Sequence, residues 1–335
     1  MRVQDMVEVA RAADDRGFSG VYLPEAWRSA FVAMTAVAAA TGGGRGRIEL
    51  GPYVLNAHAH SPLFTGIAAV DLDEFSGGRL VLGVGSGNRV TNEQYQGIPV
   101  ERPLAKMRDF IEVVNRVKRA GIGDRVDFEG PVHQTAGWYS QVQPVRNDLP
   151  VVLAATSPKM TQLAAEVADG IAMGSLLSVE YVADVAARCR AIAERPFRVM
   201  VSAFVSPSAD RREARDAART AVVNLYAGKP HPHYDSLLRQ QGFADVANAI
   251  SVAVGAGDLD AARAAVSDDV VDRLTIAGTP EECRHRIMAY APHADDLILV
   301  NVAGMRFQAG AHGGGKAPRG DLNASFEPIL ALRDA

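Results

Sequence analysis

Apolar positions along this chain fall into short runs. Each run is followed by a longer stretch in which they recur every three or four residues. The runs centre near residues 21, 49, 81, 152, 171, 200 and 298. Short buried runs alternating with amphipathic stretches predict parallel strands joined by helices, and repetition on this scale predicts a (β/α)8 barrel. The expectation is one barrel domain over residues 1–335, with insertions at about 121–145 and 209–275. Val126, Phe128 and Val132 around Gly130 and Pro131 make the first insertion a β-hairpin. The second reads as helices and loops.

A closed barrel needs eight strands and the pattern supplies seven. The chain opens on a helix over about 5–16, with Asp5 and Glu8 as a capping box and Gly17 as its stop. The first strand is therefore expected to be missing. The strands at Val21 and Leu297 would keep free edges, to be covered by a contact such as a homodimer. Gly51 and Pro52 interrupt the second run, and because proline offers no ladder donor a bulge or break belongs there. Helix starts are legible at Ser157 with Pro158, and at Thr279 with Pro280 and Glu282.

Composition narrows the partners. With 335 residues, 48% of them hydrophobic, and a formal charge of −4, nothing points to nucleic acid or an acidic membrane surface. The apolar run at 30–40 is too short to cross a bilayer, and no signal segment follows Met1. A cytoplasmic protein acting on a small molecule is expected. Cys189 and Cys283, far apart and without ligand spacing, are expected to be buried thiols and not a disulfide.

In a parallel barrel the chemistry sits at the carboxyl ends of strands. There the fourth strand ends in Gly83, Gly85, Ser86, Gly87 and Asn88. The G-x-G-x-G spacing opens no helix, so the dinucleotide fingerprint is rejected. Small residues there let a flat ring approach the backbone. Glu25 ends the first strand, either as a solvated loop carboxylate or as a group at the ligand mouth. His58 and His60 lack an evident third metal ligand. Thr156 and Ser157 open a helix directly after a strand, either as an ordinary cap or as an anion site, and Gly174 with Ser175 adds a second small turn. Together the two turns favour a phosphate.

Residues 47–56, Ser61-Pro62, Leu72 to Gly85, Asn92-Glu93, Ala155 to Met160, Ala168 to Gly170 and Gly278 to Glu282 resemble the bacterial-luciferase-like family. Within it the sequence is most similar to the coenzyme F420-dependent, methylenetetrahydromethanopterin reductase-like branch. The resemblance implies a TIM barrel of the luciferase-like type and hydride transfer between F420 and an organic substrate. It implies a deazaflavin ring against a non-proline cis peptide at Tyr53-Val54. Ser86, Gly87, Asn88 and Asn92 would contact the ring and its side chain, and Ala155, Thr156, Ser157, Gly174 and Ser175 the phosphate. Glu25 matches an acidic position near the ring and is the candidate for proton handling, with Trp27 and His58 on the substrate side. Ala26 stands where the sugar-phosphate branch carries a catalytic histidine, which argues against a sugar substrate. The alternatives are an FMN-dependent monooxygenase of the same fold and a non-catalytic cofactor-binding barrel.

Overall fold

A computed structural model describes residues 2–26, 28–227, 232–304 and 322–333. Trp27, His231 and the glycine-rich segment at 313–316 lie outside the described residues. The chain divides into two compact units, one of Met1–Ala172 with Cys189–Arg198, the other of Met173–Arg188 with Val199–Ala335.

The first unit opens with α1 (Val3–Asp15). It starts two residues before the expected boundary because Asp5 caps from inside the first turn. Its carboxylate accepts the Arg2 backbone N–H at 2.6 Å. Next come β1 (Gly20–Leu23), α2 (Ala30–Ala40), β2 (Glu49–Pro52), β3 (Leu55–Asn56), α3 (Pro62–Ser76) and β4 (Leu82–Gly85). These are followed by α4 (Pro103–Val117), the antiparallel hairpin of β5 (Arg125–Glu129) and β6 (Gln134–Tyr139), β7 (Val151–Ala154), α5 (Pro158–Val167) and β8 (Gly170–Met173).

The break expected at Gly51 and Pro52 divides one strand between two neighbours. β2 pairs in parallel with β1, setting Tyr22 opposite Gly51, whereas β3 pairs with β4, setting Asn56 opposite Gly85. β4 continues to β7 and β7 to β8, all parallel. β4 is buried along its length, as its run of small and apolar residues requires. The first hairpin was legible as an insertion. It covers a small apolar cluster of Val113, Val117, Ala120 and Val126.

Two buried cations tie this unit together. Arg79, only 5% exposed, donates to the carbonyls of Ala38, Gly43, Ile48 and Ser76 and to the Thr41 hydroxyl. Lys118, 1% exposed, donates to the Leu149 carbonyl at 2.6 Å and to Asp169 at 2.7 Å. Burial lowers the Lys118 pKa, and Asp169 pulls it back towards the charged form. Asp169 also accepts the Val151 N–H at 3.0 Å, so this pair pins the start of β7 beside that of β8. Removing one partner leaves a buried charge uncompensated. Lys118→Ala is therefore expected to cost about 3–5 kcal/mol in urea unfolding, and Lys118→Met less, since it refills the volume. A loss below about 1 kcal/mol for the alanine variant would show that the pair does not hold the strands.

In the second unit, α6 (Val179–Ile192) is followed by β9 (Arg198–Pro207). The helices α7 (Arg211–Ala227), α8 (Pro232–Gln240), α9 (Ala244–Ala256), α10 (Leu259–Ala264) and α11 (Asp268–Leu274) make up the second insertion, helical as expected. β10 (Ile276–Gly278), α12 (Pro280–Tyr290), β11 (Asp296–Asn301) and α13 (Leu322–Leu330) complete it. β9 pairs in parallel with both β10 and β11. β10 corrects the count of seven strands, for three residues are too few to carry a periodic signal. The capping box before α12 forms as expected. The Thr279 hydroxyl accepts the Glu282 N–H at 3.3 Å, and Glu282 accepts the Thr279 N–H at 2.9 Å. Phe204, Val222, Leu238, Ile250 and Val271 belong to the core of this unit. Cys189 and Cys283 are both buried and free, as expected. Among the described residues no helix is long and apolar enough to cross a membrane.

Candidate functional site

The site is built where β1, the β2–β3 break and β4 end. Tyr53-Val54 is a non-proline cis peptide, at the position expected. Three backbone hydrogen bonds fix its surroundings: Tyr53 N–H to the Leu23 carbonyl at 2.8 Å, Glu25 N–H to the Val54 carbonyl at 3.4 Å, and Ala57 N–H to the Gly85 carbonyl at 2.9 Å. The ends of β1 and β4 therefore flank the break.

The glycines of β4 serve a different purpose from the one expected. A Cβ on Gly83 would overlap the Pro52 carbonyl, and one on Gly85 would lie 2.7 Å from Val54 Cγ2. That space is taken by the broken strand itself and not left for a ring. Gly87 sits at φ 67°, and a Cβ there would strike the Asn56 side chain.

Asn56 is the hub that sequence reasoning missed. It is buried, donates from Nδ2 to Asn92 Oδ1 at 2.6 Å and accepts the His58 N–H at 3.2 Å. Asn92, wholly buried, in turn donates to the Ser86 carbonyl at 2.9 Å. Asn88 accepts the Val90 N–H at 2.8 Å, which turns the chain after β4. Asn56, Asn88 and Asn92 thus shape the end of β4, and Ser86 lies within their network.

Glu25, 13% exposed in its side chain, meets a partner thirty-five residues away. Oε2 lies 2.8 Å from His60 Nε2 and accepts the Asn56 N–H at 3.2 Å, while Oε1 accepts the Ala30 N–H at the start of α2 at 3.3 Å. Burial pushes the Glu25 carboxyl up, but His60 and the two backbone N–H groups outweigh it and hold it below the usual range. Glu25 is therefore a carboxylate at neutral pH. A neutral His60 that gives Nε2–H to this carboxylate presents Nδ1 as its acceptor.

His58 lies 5% exposed, and neither ring nitrogen has a hydrogen-bond partner. Burial lowers its pKa and Lys106 lowers it further, while the nearby Ser86 backbone favours the charged form and His133 weakly opposes it. Among the described residues no group of three metal-binding side chains forms around these histidines.

At the end of β7, Ser157 caps α5 by accepting the Met160 N–H at 3.3 Å, and the Ala155 N–H bonds the Ala172 carbonyl. Pro158 at the first helical position has no N–H to offer, so Thr156, Ser157 and Lys159 supply the remaining donors near this helix start. Such a donor set fits an anionic tail.

In the second unit, Ser175 is buried with its hydroxyl 3.0 Å from that of Ser202, and a Cβ on Gly174 would meet open space. Leu176 follows at φ 66°, an uncommon conformation for a γ-branched residue, with its carbonyl held by Gln241 at 2.9 Å. Trp27 lies outside the described residues.

The family model described as luciferase-like monooxygenase matches residues 1–296. The 5,10-methylenetetrahydromethanopterin reductase of Archaeoglobus fulgidus is 30% identical over 299 residues, covering 86% of each chain. Among solved structures, the coenzyme F420-dependent tetrahydromethanopterin reductase from Methanopyrus kandleri superposes with a TM-score of 0.77 at 21% identity, over 98% of this chain and 94% of that one. An F420-dependent secondary alcohol dehydrogenase in complex with an F420-acetone adduct gives 0.72 at 16% identity, over 91% of each chain. These structures share the luciferase-like TIM-barrel fold with this chain. The strand broken at a cis peptide, the small-residue β4 and the capped start of α5 all fall within residues 1–296, the span that the family model matches. The chain belongs to the luciferase-like monooxygenase family.

Proposed function

We propose that this protein is a coenzyme F420-dependent oxidoreductase that moves a hydride between the deazaflavin and an organic substrate. The observation that carries it is the join of the broken strand to the polar end of β4, in a chain 30% identical to a 5,10-methylenetetrahydromethanopterin reductase. When bound, the deazaflavin supplies the hydride carrier. Tyr53 and Val54 would back the ring, Ser86, Gly87, Asn88 and Asn92 would border it, and Ala155, Thr156 and Ser157 would hold the phosphate. Gly174 and Ser175 rest on the resemblance. The protein is a cytoplasmic homodimer in this reading, on the sequence pattern and the two buried free thiols.

Glu25 and His60 form the proton-handling pair. Glu25 fixes the ring and its tautomer, and Nδ1 of His60 takes or returns the proton that accompanies hydride transfer. Glu25→Gln and His60→Gln should each lower kcat by about 10²-fold with deazaflavin affinity kept, and the double variant should be no slower than either. Turnover is read as deazaflavin absorbance with a methylenetetrahydropterin and with simple ketones. Multiplicative losses in the double variant would separate the two residues. Because its folded pKa is depressed, Glu25 adds stability above its unfolded pKa and loses it as pH falls through the folded value. Glu25→Gln should accordingly flatten the fall of Tm on acidification.

Titration with oxidised and reduced F420, followed by fluorescence, tests the cofactor. Saturation in the micromolar range or below is expected, and no binding at tens of micromolar overturns the reading. Tighter binding of FMN would favour a flavin monooxygenase instead.

A further inference from the structure

Beside the Glu25–His60 pair lies a second group of basic side chains with no acidic partner of its own. We propose that His58, Lys106 and His133 form an oxyanion subsite that receives a carboxylate or phosphate carried by the substrate. Its assignment to the substrate rests on the deazaflavin reading above, while the anion site itself does not.

Three elements supply the group: His58 follows β3, Lys106 lies in the first turn of α4, and His133 leads into β6. His58 is nineteen-twentieths buried, with the Ser86 backbone nearby but no well-aligned hydrogen bond at either ring nitrogen, and Nε2 of His133 is likewise buried and unpartnered. Leaving a buried polar atom unpaired costs about 1–3 kcal/mol, so two such imidazoles beside one lysine call for an absent partner. The three groups lie within electrostatic range of one another. Lys106 enters no ion pair among the described residues and is itself lowered by burial. A neutral imidazole offers one N–H and an ammonium offers only donors, so a single acceptor can serve all three groups, and a negatively charged one would also draw both rings towards their charged form.

The nearest carboxylate is already spent. Asp109 accepts the backbone N–H groups of Val132 at 2.6 Å and His133 at 2.9 Å, which fixes the hairpin turn. A Cβ on Gly130 would press on that same carboxylate at 2.6 Å, so the turn is tightly seated. Phe110 meets the His133 ring edge to face with centroids 6.2 Å apart. The histidine is thus preset, at little further ordering cost to a ligand. Lys106, His133 and the Ser86 backbone act on His58, and Asp109 with Lys106 acts on His133.

The test is a histidine proton NMR titration of the whole protein with inorganic phosphate, and with malonate as the carboxylate probe. Either anion should favour protonation of His58 and His133 by about tenfold. Lys106→Met should weaken that response at least tenfold while leaving the F420 titration within twofold, and should raise the KM of an acidic substrate above that of a neutral one. If neither anion moves the histidines, or moves them equally in Lys106→Met, the subsite is wrong. A tenfold loss of F420 affinity in that variant also overturns the assignment to substrate. Failure of F420 to bind with the histidine response intact would instead remove the cofactor reading alone.

Discussion

Arg79→Ala is expected to lose about 3–5 kcal/mol of stability, among the largest single losses in the chain. Ala38 lies in the last turn of α2 and Ser76 ends α3, so their carbonyls are among those a helix leaves without internal partners. Arg79 satisfies both, along with the Gly43 and Ile48 carbonyls and the Thr41 hydroxyl, at distances of 2.7–3.1 Å. All five hydrogen-bond partners are neutral, and the attraction of Asp14 is outweighed by burial. Burial accordingly lowers its pKa. Alanine would strand these acceptors away from water. Lysine has three donors against five, and no planar fork, so Arg79→Lys should recover only part of the loss. Urea midpoints at constant m-value measure both. A change under about 1 kcal/mol for Arg79→Ala would mean that water reaches these carbonyls.

Gly51→Ala should cost about 3 kcal/mol and weaken F420 binding at least tenfold. Gly51 lies in β2, and a Cβ there would overlap the Val81 carbonyl oxygen. Neither backbone can retreat cheaply. Leu50 N–H donates to the Arg79 carbonyl at 3.1 Å, and Val81 N–H donates to the Leu50 carbonyl at 2.9 Å. Any displacement runs straight into Pro52 and the Tyr53-Val54 peptide. Thermal melting with and without F420 separates the two effects. A variant that is destabilised yet binds F420 as before would show that β2 does not set the ligand face.

Much of this was legible in the sequence, and the reasons are local. Proline at 52 lacks a ladder donor, so the strand had to break near it. Thr279, Pro280 and Glu282 make a helix start within four residues, and the structure forms it. The unread parts involve residues brought together by folding. Glu25 and His60 are thirty-five positions apart. Lys118 and Asp169 are fifty-one apart. No spacing rule reaches so far, and a lysine in an amphipathic stretch reads as solvated until its burial is known. Asn56 sat inside the matching segment but carried no chemical signal, since its role depends on Asn92 meeting it. His133 is, by sequence, only the residue after Val132 in the first insertion.

The divided strand has a further consequence for how this chain tolerates insertion and deletion. β2 is aligned on β1 along its length and on residues 79–81 through Leu50, and β3 is aligned on β4, with only two residues between β2 and β3. Adding or deleting a single residue in that join would leave one half undisturbed and invert the other. Leu55 and Asn56, both buried, would then exchange faces, taking Asn56 away from Asn92 and dismantling the amide hub in one step. Length at this join is thus under tighter constraint than side-chain identity.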